Sequence, residues 1–304
     1  MSKKAIIFPG QGAQTVGMGK DWADVCGDIR GQFDRAGEIL GFDLAKVCFE
    51  GPQEELTASD RAQPAIFLVS VASFKALESK GYSFDVAAGL SSGEWAALHY
   101  AGVLGFDDCI KALEARGRLM QQACEAEAGG MLTLIGLDPA KCGEVAESCG
   151  VQVANLNSPA QTVLSGPVAG IEKAQGVAKE AGAKIAKILP VAGAFHSRMM
   201  APAAEAFAEV VDGLDFQTPR IPVLSNVTGE AHEDVASIKS RVVEQITGSV
   251  QWVQNTETMK AMGVDTYVES GPGKVLTGLI KRMHPGCTLH NVQGPADFEA
   301  LPEA

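Results

Sequence analysis

Short apolar runs alternate with longer apolar or amphipathic segments along most of the chain. Short runs suit buried strands, whereas longer segments with helical spacing suit helices. This alternation is typical of an α/β protein with a largely parallel sheet. The pattern predicts strands at Ala5–Phe8, Val86–Ala88, Ile221–Ser225 and Thr266–Glu269. It predicts helices at Ala62–Ser79, Asp107–Cys124, Ser237–Ile246, Gln251–Met262 and Lys274–Met283.

The middle of the chain has a different order of elements. Its pattern predicts, in sequence, Met131–Ile135 (strand), Pro139–Cys149 (helix), Val151–Leu156 (strand), Thr162–Ser165 (strand), Ala169–Ala181 (helix) and Lys184–Ile188 (strand). The order β-α-β-β-α-β is the ferredoxin-like arrangement. We therefore predict a small subdomain at residues 126–190, inserted into a large subdomain formed by residues 1–125 and 191–304.

Two predicted helices contain residues that are unfavourable inside a helix. Pro64 is expected in the opening turn of the first, where a missing N–H is tolerated. Gly117 lies within the second, at a cost of about 1 kcal/mol relative to alanine, so we expect another part of the chain to pack closely there. Arg116 beside it is either a surface arginine paired with nearby glutamates or a buried guanidinium suited to a carboxylate.

A candidate nucleophile follows the second predicted strand. Gly89-Leu90-Ser91-Ser92-Gly93 matches G-x-S-x-G, in which a serine on a sharp strand-to-helix turn exposes its hydroxyl. The glycines suit this turn because it leaves little room for a Cβ. The register indicates Ser91 as the nucleophile and the backbone N–H of Ser92 as an oxyanion donor. The alternative is a serine that only caps a helix.

A serine nucleophile needs a base, and the chain has five histidines. His196, in "GAFHSRMM", lies where the predicted small subdomain returns to the large one, among small residues that suit a cleft wall. His99 lies about two turns beyond the candidate nucleophile, and His232 and His284 lie in polar segments. His196 is therefore the candidate base, with a purely structural histidine as the open alternative.

Two glycine-rich segments could suggest a phosphate site, but neither matches a nucleotide-binding motif. In "FPGQGAQTVGMG", Thr15 stands where the third glycine of the dinucleotide pattern belongs, and Asp21 follows Gly19-Lys20. "GPGKVL" lacks the distant glycine and the final hydroxyl residue of a P-loop. The remaining role for the first segment is to bring its backbone close to a ligand, which suits a second oxyanion N–H.

Composition narrows the class of protein. The 304 residues carry a net charge of −12, which argues against nucleic acid or an anionic membrane as a partner. The seven cysteines are scattered, without a C-x-x-C pair, so neither a disulfide framework nor a zinc site is indicated. No stretch reaches membrane-spanning length and the start lacks a signal-peptide core. We expect a cytoplasmic protein.

Eight segments together resemble the malonyl-CoA:acyl-carrier-protein transacylases of fatty acid synthesis and, more distantly, the acyltransferase domains of polyketide synthases. They occur in the family's order and span nearly the whole chain: "FPGQGAQTVGMG", "GLSSGEWAAL", "RGRLMQ", "NSPAQTVLSG", "GAFHSRMM", "SNVTG", "VQW" and "GVDTYVESGPGKVLTGLIKR". The resemblance implies an α/β-hydrolase-like large subdomain that carries a ferredoxin-like small one. This agrees with the order of elements predicted above.

The resemblance also implies a reaction. A malonyl group would pass from malonyl-CoA to the phosphopantetheine thiol of acyl carrier protein through a malonyl-serine ester, without a metal or redox cofactor. Ser91 would be the acylated nucleophile and His196 its base, and the backbone N–H groups of Gln11 and Ser92 would form the oxyanion hole.

Other matching positions would bind substrate or orient the base. Arg116 would hold the substrate carboxylate, Asn157 would line the cleft, and a main-chain carbonyl near "VQW", assigned to Gln251, would orient the histidine. Leu90 and Ser92 differ from the residues usual in the family, which leaves the backbone roles intact because they do not depend on side chains. Because such carrier proteins are acidic, we expect a positive rim near the cleft at Lys187, Arg198, Lys281 and Arg282.

Three alternatives stay open. A serine hydrolase or thioesterase could use the same turn, although no clear acidic triad partner is evident. A stand-alone acyltransferase of polyketide synthesis would share the site. A non-catalytic module that only binds carrier protein would not need Ser91, His196 and Arg116 together.

Overall fold

The computed structural model describes residues 3–301, which contain one parallel and one antiparallel sheet. The strands are β1 Lys3–Phe8, β2 Val86–Gly89, β3 Gly129–Ile135, β4 Gln152–Ser158, β5 Gln161–Pro167, β6 Ile185–Ile188, β7 Val264–Ser270 and β8 Thr288–Val292. The helices are α1 Lys20–Val25, α2 Gly27–Leu40, α3 Leu44–Glu50, α4 Gln53–Thr57, α5 Ser59–Ser79, α6 Gly93–Tyr100, α7 Phe106–Ala126, α8 Pro139–Cys149, α9 Val168–Glu180, α10 Ala201–Asp212, α11 Val235–Glu244, α12 Trp252–Ala261, α13 Val275–Met283 and α14 Pro295–Glu299. No helix in this range is both long and apolar enough to cross a membrane.

The parallel sheet has the strand order β2-β1-β7-β8. Ile6 and Phe8 of β1 belong to the core on one face, and Ala5 and Ile7 belong to the core on the other. Strands buried on both faces are apolar at successive positions, which explains why β1 is a continuous apolar run. The carboxyl ends of β1 and β2 lie side by side, with Phe8 opposite Gly89.

The antiparallel sheet has the order β4-β5-β3-β6 and is formed within residues 129–188. Helices α8 and α9 pack together against it, and apolar residues of both helices and the sheet share a separate core. This β-α-β-β-α-β unit beside a parallel sheet confirms the predicted fold class. The subdomain boundaries after residues 125 and 190 stay predictions.

Two expectations about individual elements are wrong. The segment Ile221–Ser225 forms only isolated bridges, with Val223 opposite Ala87 and Leu224 opposite Ala231. Pro222 has no N–H to donate to a ladder, which limits pairing there. Helix α5 begins at Ser59, so Pro64 lies inside it and not in its opening turn.

Helix α5 is the central buried helix, as its apolar density predicts, and it packs against α7. The two helices approach closely at Gly117. A Cβ on Gly117 would lie 2.3 Å from the carbonyl oxygen of Ser59. The expected close packing at this glycine is therefore present, and it holds the neighbouring Arg116 inside the molecule.

Candidate active site

The turn between β2 and α6 presents Ser91 at the carboxyl end of the parallel sheet. Ser91 has φ 53°, a left-handed conformation that L residues rarely adopt. A Cβ on Gly89 would lie 2.0 Å from the carbonyl carbon of Gly93, and a Cβ on Gly93 would lie 2.3 Å from the carbonyl oxygen of Phe8. Only glycine fits at these two positions, so the turn has the tight geometry that the motif requires.

His196 lies in the segment that follows β6, and its side chain contacts this turn. Its Nε2 lies 2.8 Å from the Ser91 Oγ, and its Nδ1 lies 2.8 Å from the carbonyl oxygen of Gln245. Because a carbonyl can only accept, Nδ1 carries the hydrogen and Nε2 has the free lone pair. The Ser91 hydroxyl therefore donates to Nε2, as a nucleophile donates to its base.

The carbonyl that orients His196 belongs to Gln245, so the prediction of Gln251 is wrong. The Gln251 carbonyl accepts a hydrogen bond from the backbone N–H of Asn255, in the first turn of α12. Gln245 directly follows α11, and the last carbonyls of a helix have no donor within it. Its carbonyl is thus free to accept from the imidazole.

Burial, followed by the nearby positive charge of Arg116, lowers the pKa of His196 to about 4. Desolvation disfavours the charged imidazolium, and a like charge disfavours it further. The hydrogen bond to Gln245 acts in the opposite direction but is the smaller effect. The imidazole is therefore neutral at physiological pH, which is the form that a general base needs.

Arg116 is 1% exposed, and its guanidinium faces the nucleophile. One terminal nitrogen donates to the Ser91 Oγ at 3.1 Å and to the Gln245 Oε1 at 2.9 Å, and the other donates to the Gln63 Oε1 at 2.8 Å. Its Nε is buried and has no hydrogen-bond partner in residues 3–301. The surface alternative for this arginine is excluded by its burial.

The partners of this buried cation are all neutral groups within the described chain. Burial lowers the pKa of Arg116 to about 10, and the charge of Glu94 partly offsets that effect. A guanidinium at this pKa remains charged at neutral pH. A buried charge without an ionic partner is costly, so the site favours a ligand that supplies a carboxylate.

The three groups open into one cleft of about 560 Å³ between the two sheets. Its walls include residues from the loop after β1, the first part of the β2–α6 turn, α7, β4 and the segment before α10: Gln11, Leu90, Arg116, Asn157 and His196. Apolar side chains dominate the remaining wall, including Met120, Val163 and Phe195. Such a pocket suits a small acyl group with one anionic end.

The two predicted oxyanion donors lie near the nucleophile. Within residues 3–301, neither the Gln11 nor the Ser92 backbone N–H donates a hydrogen bond to the protein. The Ser92 hydroxyl, in contrast, is buried without a hydrogen-bond partner in the described part of the chain and does not line the cleft. The structure thus leaves Ser91 as the serine whose hydroxyl is open to substrate.

The structure places five residues predicted from the sequence in one cleft: Ser91, His196, Arg116, Gln11 and Asn157. Their roles in the reaction stay predictions. Sequence reasoning missed the polar groups that hold them. Gln63 and Gln245 bind the guanidinium, and the Oδ1 of Asn226 accepts the Ser91 N–H at 2.5 Å. Asn226 lies within the "SNVTG" segment, where an asparagine among apolar neighbours is a signal; Gln245 has no local signal.

The chain is similar to known acyltransferases. A family model for the acyl transferase domain matches residues 5–290. The chain is 40% identical to the malonyl CoA-acyl carrier protein transacylase of Bacillus subtilis, over 98% of this chain and 96% of that protein. It is similar to the crystal structure of an acyl carrier protein S-malonyltransferase from Vibrio cholerae, with TM-score 0.95, 40% identity, and coverage of 99% and 100%.

A second similar structure contains a carrier protein. It is a malonyl-transacylase in complex with its type II PKS acyl-carrier protein, with TM-score 0.95 and 36% identity, and the match covers 98% of each chain.

Proposed function

The chain belongs to the acyl transferase domain family, and from that premise we propose that it transfers a malonyl group from malonyl-CoA to the phosphopantetheine thiol of an acyl carrier protein. The observation that carries the choice of acyl group is the buried guanidinium of Arg116, 3.1 Å from the Ser91 Oγ. A carboxylate one methylene away from the reacting carbonyl can reach a cation so close to the nucleophile. The malonyl group has this spacing.

The first half of the reaction acylates the protein. The Ser91 Oγ attacks the thioester carbonyl while the His196 Nε2 takes the hydroxyl proton. The backbone N–H groups of Gln11 and Ser92 stabilise the oxyanion, each worth roughly 3 kcal/mol in comparable sites. The C–S bond then breaks, the proton passes from His196 to the CoA sulfur, and a malonyl ester remains on Ser91.

The second half regenerates the serine. The thiol of the carrier's phosphopantetheine gives its proton to His196, and its sulfur attacks the Ser91 ester through the same oxyanion site. The C–O bond breaks and the proton returns to the Ser91 oxygen. Because the acyl donor and the acyl acceptor use one site in turn, ping-pong kinetics follow. We place the activity in the cytoplasm, a reducing compartment in which both thiols persist.

A hydrolase would use the same serine but would pass the acyl group to water. The orienting group for His196 is a main-chain carbonyl, not the carboxylate of the usual hydrolase triad. We expect malonyl-CoA without carrier protein to release one CoA per protein and then stop. Continuous release of CoA at a comparable rate would instead indicate hydrolysis.

The assignment of the nucleophile is tested by intact-protein mass spectrometry after exposure to malonyl-CoA. We expect the wild type and Ser92→Ala to gain one malonyl group, because the Ser92 hydroxyl lies outside the cleft. Ser91→Ala should gain none. If Ser91→Ala gains an adduct that the double variant Ser91→Ala/Ser92→Ala does not, then Ser92 is the acylated residue and the proposal is overturned.

A further inference from the structure

A buried polar cluster lies directly beneath the catalytic turn. It consists of Glu94, Asn226, His232 and Gln245, which are 1%, 0%, 8% and 1% exposed. We propose that Glu94 is a positioning residue that fixes the orientation of the Gln245 amide and so aims Arg116 at the carboxylate of the acyl donor. This inference rests on the proposed function, since it concerns how that carboxylate is selected.

The direction of the hydrogen bonds around Glu94 carries the argument. Its Oε2 accepts from the Gln245 Nε2 at 2.6 Å and from the Asn226 backbone N–H at 3.0 Å, and its Oε1 accepts from the His232 Nε2 at 2.8 Å. An ionised carboxylate has no hydrogen to donate, so each partner must turn a donor towards it. Gln245 is therefore held with its NH₂ group facing Glu94.

The other end of the same amide faces the guanidinium. With the Nε2 of Gln245 turned to Glu94, its Oε1 accepts from Arg116 at 2.9 Å. A rotated amide would instead present NH₂ to a cation, donor against donor. Glu94 makes the shortest of the hydrogen bonds that set this orientation, since the same Nε2 also donates to the Ser91 carbonyl oxygen at 3.2 Å. Through this amide, Arg116 has an acceptor that holds its terminal nitrogen beside Ser91.

A second branch connects Glu94 with the nucleophile. The Asn226 whose N–H binds Glu94 also accepts the Ser91 N–H on its Oδ1 and donates from Nδ2 to the Gly89 carbonyl at 2.7 Å. The Glu94 carboxylate therefore holds both the catalytic turn and Gln245, which binds Arg116. This branch acts on any acyl donor. The Gln245 branch also contacts the turn, since the Gln245 Nε2 donates to the Ser91 carbonyl oxygen at 3.2 Å, but its effect through Arg116 is specific to acyl donors with a carboxylate.

The location of Glu94 supports an anionic role. It occupies the first turn of α6, where the helix dipole favours a negative charge. Its charge also favours the protonated guanidinium of Arg116, although the two groups make no direct ion pair within residues 3–301. The carboxylate can stabilise the cation without occupying the position that a substrate carboxylate needs.

The test compares malonyl-CoA with acetyl-CoA as acyl donors in steady-state transfer to carrier protein. In Glu94→Gln, the new amide NH₂ group is itself a hydrogen-bond donor and faces the three groups that donate to Glu94 in the wild type. It therefore favours the rotated Gln245 amide. We expect the ratio of malonyl to acetyl kcat/KM to fall about tenfold or more, the scale of a hydrogen bond to a charged group. The loss should reside mainly in the KM for malonyl-CoA.

Glu269→Gln is the matched control. Glu269 is also a fully buried glutamate that accepts three hydrogen bonds, from the Leu276 N–H and from the N–H and hydroxyl of Thr277, but it does not touch Gln245. We expect Glu269→Gln to change kcat/KM for malonyl-CoA and for acetyl-CoA by a similar factor, and so to leave their ratio within about twofold. An equal loss for both donors in Glu94→Gln would show a merely structural role and overturn the inference.

A second variant keeps the test decisive if Glu94→Gln does not fold. Gln245→Leu removes the amide but keeps the backbone carbonyl that binds His196. We expect the same fall in the malonyl-to-acetyl ratio, and an unchanged ratio would refute the role of this amide. A wild type without preference for malonyl would instead refute the proposed function itself, which separates the two failures.

Discussion

Ser91 and His196 both have a left-handed backbone, with φ 53° and 56°, although neither is glycine. Such conformations cost roughly 1–3 kcal/mol each and persist only where the surrounding contacts hold them. Here the Ser91 N–H binds Asn226 and the His196 ring binds the Gln245 carbonyl. At the scale of single residues, the site is held in place by hydrogen bonds from segments distant in sequence.

The pH dependence of acylation follows from the state of His196. Because burial and Arg116 lower its pKa to about 4, the neutral base persists as the pH falls below the ordinary histidine value. We expect the single-turnover acylation rate to stay flat from pH 8 to about pH 5.5, whereas a histidine with an unperturbed pKa of about 6.5 would lose about tenfold there. Quenched-flow mass spectrometry measures this rate.

A variant gives the sign of the same effect. Arg116→Ala removes one of the two causes that lower the pKa of His196, so that pKa should rise towards its usual range. The acid limb of acylation by acetyl-CoA should therefore move to higher pH in this variant. A shift to lower pH, or a wild-type midpoint near 6.5, would contradict this account of the base.

Selectivity for the acyl group is the second prediction at this scale. Arg116→Ala leaves a substrate carboxylate buried without its cation, and we expect malonyl transfer to fall about 10²- to 10³-fold, or roughly 3–4 kcal/mol. Acetyl transfer should fall by less than about tenfold, because acetyl has no carboxylate to lose. Steady-state kcat/KM with each donor measures the difference.

Arg118→Ala is the control in the same helix. Arg118 is largely exposed and pairs with Glu114 one turn away, an interaction that contributes little. Arg118→Ala should leave kcat/KM for both acyl donors unchanged. Equal losses for malonyl and acetyl in Arg116→Ala would contradict carboxylate recognition by this arginine.

At the scale of elements, the crossing of α5 and α7 carries Arg116 into the core. Gly117→Ala would place a Cβ 2.3 Å from the Ser59 carbonyl oxygen, so the helices must move apart. We expect a loss of roughly 1–3 kcal/mol in the free energy of unfolding, the usual range for overpacking, despite the better helix propensity of alanine. Urea unfolding followed by circular dichroism measures it.

Gly31→Ala provides the comparison for that prediction. Gly31 also lies inside a helix, α2, but a Cβ there would have no neighbour within 4 Å. We expect a gain of roughly 0.5–1 kcal/mol from propensity alone. Similar effects of the two substitutions would show that close packing does not explain Gly117.

Apolar patterning located elements with a clear run or spacing of apolar residues, including the mostly exposed strand β6. Helix α5 and the six elements of the ferredoxin-like unit were predicted within a few residues of their ends. The pattern did not identify α2, with buried Ile29, Phe33 and Ala36 separated by polar residues and glycine, or β8, which has no fully buried residue before Val292. Partly exposed elements leave a weak periodic signal.

The site shows the same limit. Ser91 was predictable because its turn imposes a local glycine spacing, whereas Gln245 meets His196 only through tertiary packing across 49 positions. Gln251 is also a glutamine and lies nearby in sequence, but its carbonyl accepts a hydrogen bond within the first turn of α12. Sequence spacing alone does not distinguish a carbonyl at the end of one helix from a carbonyl at the start of the next.

At the scale of the whole molecule, docking must occur on a chain with net charge −12. Lys187, Arg198, Lys281 and Arg282 are exposed, and each lies within a few residues of a cleft-lining residue or on the same helix as one. We expect the double reversal Lys281→Glu/Arg282→Glu to lower carrier-dependent transfer several-fold to about tenfold at low salt. The effect should shrink as ionic strength rises.

The first half-reaction is the internal control for this docking prediction. Acylation by malonyl-CoA at saturating concentration should stay close to that of the wild type, since neither Lys281 nor Arg282 lines the cleft. Transfer to carrier protein that is indifferent to the reversal would remove these two residues from the docking surface. Lys187→Glu and Arg198→Glu then test the opposite part of the proposed rim.

Gln245 serves the base with its main chain and the arginine with its side chain. A peptide carbonyl survives any substitution of the residue that bears it, so the histidine keeps its anchor whatever stands at position 245. An engineer who wishes to broaden the range of acyl donors can therefore redesign the pair of side chains at 116 and 245 and keep the hydrogen bond that orients the base, but Arg116 also donates to the Ser91 Oγ and lowers the pKa of His196. In this fold, the range of acyl donors and the pKa of the base are therefore linked through one guanidinium.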